Sequence, residues 1–185
     1  MALAAQKKWP EAIAAFRAAV EKDPEMSEAW FQIGYSENEK NGGVGKATEA
    51  SHAPLAHCLK LDPKHANAHT SLGNLLKDVR KDYDGAERHY RKAIELEPSD
   101  AEIHFIFGYF IEIVRKDYEG AERLYRKAIE LDPKNVNAHW DLSRFLENQK
   151  NDIPGAIKAV EEYIRRGNPD NDGEQRLEKL RAKLK

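Results

Sequence analysis

Apolar and small residues recur at helical spacing along most of this chain, with charged residues between them. In residues 79–98, Ala86, Tyr90 and Ala93 follow one another at intervals of four and three residues, which places them on one face of a helix. The stretch returns 35 residues later at 114–133, and 17 of the 20 positions are identical. Such a period predicts an array in which each repeat is one helical unit that cannot bury its apolar face alone.

The first helix of each repeat carries a large residue followed by a small one. The second helix carries a small residue, an aromatic residue and another small residue, and a proline follows it. The two central repeats supply these as Leu72, Gly73, Ala86, Tyr90, Ala93 and Pro98, and as Phe107, Gly108, Ala121, Tyr125, Ala128 and Pro133. This pattern resembles the tetratricopeptide repeat, whose usual length is about 34 residues. The resemblance covers nearly the whole chain. It implies an all-α fold, a right-handed α-solenoid of helix-turn-helix repeats with a C-terminal capping helix.

The resemblance predicts where the repeats begin and end. Met1 falls inside the first helix of a repeat, so we expect a piece cut from a longer array, unless upstream helices never existed. The near identity of the central repeats is compatible with recent duplication and with design. The predicted segments are 1–26 (truncated first repeat), 27–65 (with an insertion at 41–51), 66–100, 101–135, 136–169 (atypical last repeat) and 170–185 (capping helix).

Three places depart from the repeat pattern. Pro54 falls within the second helix of repeat 27–65, so that helix either starts late, with Pro54 in its first turn, or is kinked. In repeat 136–169, Val160 and Tyr163 replace the aromatic and the small residue, as terminal repeats often do. The final segment predicts a capping helix because its apolar residues form one stripe, namely Leu177, Leu180 and Leu184.

Composition excludes several classes of protein. Charged residues make up 34% of the chain with a formal net charge of −2, which gives no general attraction to nucleic acid. Cys58 is the single cysteine, so an internal disulfide is excluded and a reducing compartment fits. The chain shows no signal-peptide core and no run of 18 apolar residues, so we expect a cytoplasmic protein without membrane insertion.

Candidate chemistry is sparse. Residues 41–48, NGGVGKAT, resemble a phosphate loop but lack its first glycine and the hydroxyl residue after Lys46. Three histidines recur at 35-residue spacing, namely His69, His104 and His139, and they are too far apart to share one zinc ion. A second group of possible metal ligands surrounds the insertion, namely His52, His57, Cys58 and His65. No nucleophile, base and orienting residue share a recognisable spacing. We therefore predict no enzyme, no metal and no cofactor.

The resemblance implies a concave groove, lined by the first helix of each repeat, that receives a peptide or helix of a partner protein. The predicted groove residues are Phe31, Gln32, Tyr35, Asn67, Thr70, Asn74, Lys77, Phe105, Ile106, Tyr109, Trp140, Asp141 and Arg144. Several are aromatic where the repeat does not require it, and exposed aromatics mark interaction sites. The alternative is that the superhelix curls tightly enough to bury some of them.

The groove positions are also acidic. Lys77 and Arg144 stand against seven carboxylates, namely Glu28, Glu39, Asp78, Glu102, Glu112, Asp141 and Glu147. The lysine and asparagine clamp of family members that hold acidic chaperone tails is missing apart from Asn74. We therefore expect an apolar partner with basic flanks, such as an amphipathic helix. The predicted function is a protein-interaction scaffold; the alternative is a structural element that forms homo-oligomers through the groove or the open N-terminal end.

Overall fold

The structure is a computed structural model that describes residues 8–40, 47–166 and 171–184. Within these residues the chain forms ten α-helices and no strand. The predicted fold class, an all-α solenoid of helical repeats, is confirmed. The helices are α1 (Trp9–Lys22), α2 (Ser27–Glu39), α3 (His52–Leu61), α4 (Ala66–Leu75), α5 (Tyr83–Leu96), α6 (Ala101–Phe110), α7 (Tyr118–Leu131), α8 (Val136–Lys150), α9 (Ile153–Arg165) and α10 (Asn171–Ala182).

The helices fall into two compact units, Met1–Pro98 and Ser99–Lys185. In the first unit α2 packs on both α1 and α3, and α4 packs on α5. In the second unit α6 packs on α7, α8 packs on α9, and α10 packs on α9. None of the described helices is long and apolar enough to cross a membrane.

A small residue on the first helix of each central hairpin lets the second helix approach closely. A Cβ atom added to Gly73 would lie 2.8 Å from the Tyr90 ring, and one added to Gly108 would lie 3.1 Å from the Tyr125 ring. Both tyrosine side chains are fully buried. Glycine and tyrosine therefore fit together at van der Waals distance, which explains why the two residue types recur together.

The turn between the two helices of a hairpin has the same structure in three hairpins. A residue in the left-handed conformation, with φ between 52° and 57°, ends the first helix; these residues are Lys81, Lys116 and Asn151. The next residue is an aspartate whose carboxylate accepts a 2.9 Å hydrogen bond from a glycine N–H three residues on. Such bonds satisfy backbone groups at the helix start. The pairs are Asp82 and Gly85, Asp117 and Gly120, and Asp152 and Gly155.

The turn into the next repeat is closed by a ring nitrogen. Trp30 Nε1 donates to the Pro24 carbonyl at 2.9 Å, and the Nε2 atoms of His69 and His139 donate to the carbonyls of Pro63 and Pro133 at 3.1 and 3.2 Å. Trp30, His69 and His139 therefore satisfy proline carbonyl groups in the turns that follow three of the helices.

Pro54 does not kink a helix. A short 3₁₀ turn, Glu49–Ser51, precedes α3, and Pro54 is the third residue of α3. The backbone N–H at that position has no partner within its helix, so proline costs no hydrogen bond there. The late start of the helix, one of the two alternatives from the sequence, is the observed one. Residues 41–46 of the Gly-rich stretch lie outside the described part of the chain.

The final helix is only partly as the sequence predicts. Leu180 is buried, and Leu177 is half-buried. Leu184 lies beyond the end of α10 and is 57% exposed, so it is not part of a buried stripe. The predicted three-leucine stripe is thus wrong at its last member, because the helix ends before a further turn brings Leu184 back to the packed face.

We expect Gly73→Ala to lower the free energy of unfolding by about 1–2 kcal/mol, measured by urea denaturation. Overpacking typically costs about 1–3 kcal/mol, and the gain in helix propensity offsets at most about 1 kcal/mol. Tyr90 cannot retreat, because its ring is buried and its hydroxyl donates to Asn74 Oδ1 at 2.7 Å. Adding Tyr90→Leu makes room, so the double variant should lose less than the sum of the single losses. Unchanged or increased stability of Gly73→Ala would contradict this account of the hairpin.

Candidate interaction surface

Four apolar residues form a stripe along one side of α6 and the π-helical turn that follows it, Ile111–Arg115. Tyr109 is 41% exposed and Ile113 is 47% exposed, whereas Phe105 and Ile106 are half-buried. Spacings of three and four residues place all four on one side of the helix. We call Phe105, Ile106, Tyr109 and Ile113 the α6 surface. The opposite side, with Ile103, Phe107 and Phe110, is buried in the core.

The α6 surface has a rigid base. The Phe105 ring lies 5.7 Å from the ring of Tyr125, centroid to centroid, and Tyr125 lies 5.6 Å from Phe145. Tyr125 and Phe145 are fully buried. Aromatic rings held at these distances pack favourably. The exposed part of the surface therefore rests on a fixed aromatic core.

A buried charge network fixes the end of α6 against α8. The Arg144 guanidinium donates to both Glu112 carboxylate oxygens at 3.3 Å, and the Tyr125 hydroxyl donates to Glu112 Oε2 at 2.7 Å. Glu112 is 1% exposed, so the guanidinium and the hydroxyl offset the cost of burying its charge. Burial, and then the bond to Glu112, raises the pKa of Tyr125.

This network changes the predicted electrostatics of the groove. Glu112 is buried rather than exposed to a partner, and Asp141 lies 3.4 Å from Arg144, while burial raises the Asp141 pKa. Glu147 is paired at 2.7 Å with both Arg176 and Lys183. These three carboxylates are already satisfied within the chain. The acidity counted from the sequence therefore overstates the charge that a partner meets in this unit.

Trp140 is covered by the last two helices. Its ring lies 5.0 Å from Tyr163 on α9, centroid to centroid, and the Arg176 guanidinium of α10 lies 5.2 Å from its centroid. The side chain is half-buried. Trp140 is consequently not an open aromatic anchor of the kind that the sequence predicts.

In the first unit, two predicted groove residues are buried. Phe31 is 8% exposed because it packs in the core with Leu55 and Cys58, and its ring centroid lies 4.6 Å from that of His65. Thr70 is 7% exposed and donates to the Ala66 carbonyl. The structure therefore corrects the prediction that these two residues line an open groove. Tyr35 is 38% exposed, with its ring 6.2 Å from that of Trp9.

The remaining predicted positions of the first unit are polar. Gln32 donates to Glu28 at 2.7 Å, and Lys77 lies 3.2 Å from Asp78. Asn74 accepts the hydroxyl of Tyr90, and Asn67 is exposed. Tyr35 is thus the most exposed apolar member of the predicted set in this unit.

The histidines and the cysteine have separate structural roles. Cys58 is fully buried, and burial raises its pKa to about 12. His57 packs on Trp30, and His65 contacts Glu28 at 3.1 Å. Among the residues that the structure describes, no three His, Cys, Asp or Glu side chains are arranged to hold a metal ion.

His69 pairs with His89, a residue that the sequence pattern does not single out. Their Nδ1 atoms lie 2.8 Å apart. His69 Nε2 donates to Pro63, so its Nδ1 accepts the Nδ1–H of His89 when both rings are neutral. A signal was available, because His89 is one of the three positions at which residues 79–98 and 114–133 differ, and Leu124 takes its place in the second stretch.

The comparisons with known proteins agree with this architecture. Three family models, each described as tetratricopeptide repeat, match residues 1–50, 66–100 and 115–184, together well over half of the chain. This chain belongs to the tetratricopeptide repeat family. A search of curated protein sequences found no significant match.

Solved structures show the same fold at low sequence identity. Residues 41 to the end of MamA from Desulfovibrio magneticus RS-1 match with a TM-score of 0.70 at 20% identity, over 88% of both chains. Pseudomonas aeruginosa PilF matches at 0.73 and 22%, over 85% of this chain and 68% of PilF. A human IFIT1 dimer with m7Gppp-AAAA matches at 0.69 and 20%, over 96% of this chain and 42% of IFIT1. At these identities the likeness shows the fold alone.

We expect the free energy of unfolding to fall as the pH drops from about 6.5 to about 4. Burial lowers the pKa values of His69 and His89, that of His89 to about 4, with further contributions from Lys92 on His69 and from His69 and Arg88 on His89. The unfolded chain therefore binds protons in this range that the folded chain does not. His89→Leu should reduce the difference in stability between pH 7 and pH 4.5 in urea titrations. An unchanged difference would contradict the paired arrangement.

Proposed function

We propose that this protein is a protein-interaction scaffold that holds a segment of a partner protein on the α6 surface. The observation that carries the proposal is the neighbouring exposure of Tyr109 and Ile113, at 41% and 47%. Their spacing of four residues matches one helical turn, so a single apolar segment can cover both. The rigid base beneath Phe105 lets the surface bind without reorganising, which lowers the cost of association.

The partner segment that fits is apolar, as an amphipathic helix or an extended peptide. Large apolar side chains gain most by covering an exposed tyrosine and isoleucine. Basic flanks on the partner find one carboxylate in the exposed Glu102, on the first turn of α6. The near-neutral charge of the chain supports a protein rather than a nucleic acid as partner.

The alternative occupant of the α6 surface is a second copy of the same chain. Light scattering behind size-exclusion chromatography, over a concentration series, separates the two cases. Our proposal predicts a monomer throughout. An oligomer that dissociates in a Tyr109→Ser/Ile113→Ser variant would instead make self-assembly the function of this surface.

A peptide selection tests the proposal. Peptides from a phage-displayed random library, selected on the full chain, should bind Tyr109→Ser/Ile113→Ser at least about tenfold more weakly, since buried apolar anchors carry about 2 kcal/mol or more each. Val79→Ser/Tyr83→Ser is the matched control, because it removes two apolar side chains, each 39% exposed, from elsewhere. The control should bind as the wild type does. Equal binding to both variants would overturn the assignment.

A further inference from the structure

The hairpin of α4 and α5 brings two histidine rings together. The Nδ1 atoms of His69 and His89 lie 2.8 Å apart, and both side chains are half-buried, so solvent reaches them. Burial lowers the pKa of each ring, that of His89 to about 4, and both rings are therefore neutral at pH 7. Neutral imidazole is the form of histidine that binds metal ions.

His69 is already oriented as a metal ligand. Its Nε2 donates to the Pro63 carbonyl at 3.1 Å, which leaves a lone pair on the Nδ1 that faces His89. A histidine that binds a metal ion almost always donates its other ring N–H to a carboxylate, a carbonyl or water, and this bond fixes the ring. His89 supplies the second lone pair when its proton moves from Nδ1 to Nε2.

The distance between the two nitrogens indicates which kind of ion fits. Two imidazole nitrogens at about 2.0 Å from one ion lie about 2.8 Å apart at a right angle, and about 3.3 Å apart at a tetrahedral angle. The observed 2.8 Å therefore fits a square-planar or tetragonal ion better than tetrahedral zinc. Copper(II) prefers that geometry, and nitrogen ligands bind it most tightly among the divalent first-row metals.

The rings must turn to share an ion. Their centroids lie 5.1 Å apart, so the two nitrogens face each other nearly head-on. Rotation about the terminal side-chain torsions, which are broad for histidine, directs both lone pairs at one point beside the pair. The hydrogen bond between the rings is then exchanged for two bonds to the metal.

The ionised groups around the two rings are balanced in charge. Lys92 and Asp62 act in opposite directions on the pKa of His69, and Arg88 and Asp82 do so on that of His89. A divalent cation therefore meets two carboxylates as well as two cations near the rings. The histidine nitrogens, rather than a general acidic field, decide whether the ion binds.

We propose that His69 and His89 form a copper(II) site on the hairpin of α4 and α5, with the two nitrogens in adjacent positions and water in the others. The proposal is independent of the α6 surface. The next repeat lacks such a pair, because Leu124 stands in the place of His89 although His104 stands in the place of His69. The site is thus particular to one of two near-identical repeats.

Titration of the full chain with copper(II) sulfate in glycine buffer tests the proposal. The most tightly bound ion should show two nitrogen donors by electron paramagnetic resonance and should broaden the amide signals around residues 69 and 89. His89→Leu should weaken its binding at least about tenfold, since even the loss of an outer partner of a ligand costs about that much. Leucine is the natural residue at the equivalent position 124, so the variant keeps the hairpin, as circular dichroism checks.

The matched control is His52→Leu, which removes a half-buried histidine of α3 outside the pair. It should bind the ion as tightly as the wild type does. Equal affinity of the wild type and His89→Leu would overturn the proposal. So would a single nitrogen donor in the tightest complex, or broadening that centres on residues 52–57 and leaves residues 69 and 89 sharp.

Discussion

The close approach of a glycine on one helix to a tyrosine ring on the next is the constraint on which each central hairpin depends. Gly73 with Tyr90, and Gly108 with Tyr125, bring the paired helices within van der Waals contact of the ring. The buried ring then carries its hydroxyl to a polar group on the first helix or its terminal turn, Asn74 in one unit and Glu112 in the other. Once the hairpin is set, the side of the first helix that does not meet the second helix is left for other contacts.

The second unit differs from the first at two equivalent positions, because Tyr109 stands in the place of Asn74 and Glu112 in the place of Lys77. Glu112 is a buried carboxylate, so it requires a cation, and Arg144 of α8 supplies one. This network ties α6 to α8 and leaves Tyr109 and Ile113 exposed on a fixed helix. The first unit uses the neutral Asn74 for the same hydroxyl and needs no such cation. A shared packing constraint and a variable polar partner thus produce different surfaces on similar hairpins.

The sequence predicts the fold class well because two near-identical repeats show the same packing residues at the same spacing. It does not predict that His65 covers Phe31 or that Arg144 neutralises Glu112. These contacts join residues 34 and 32 positions apart, and nothing in the local pattern sets their register. The placement of α10 on Trp140 is equally hidden, because an amphipathic stripe indicates that a helix packs but not on what.

Chemical-shift mapping of the isotope-labelled chain with a selected peptide is the most direct test of the central claim that the α6 surface receives the partner. We expect the largest shifts in the amides of residues 105–113 and in the Ile113 methyl groups, while the α7 residues that face solvent, such as Arg123 and Arg126, change little. Shifts that cluster on α7, with α6 unchanged, would contradict the account.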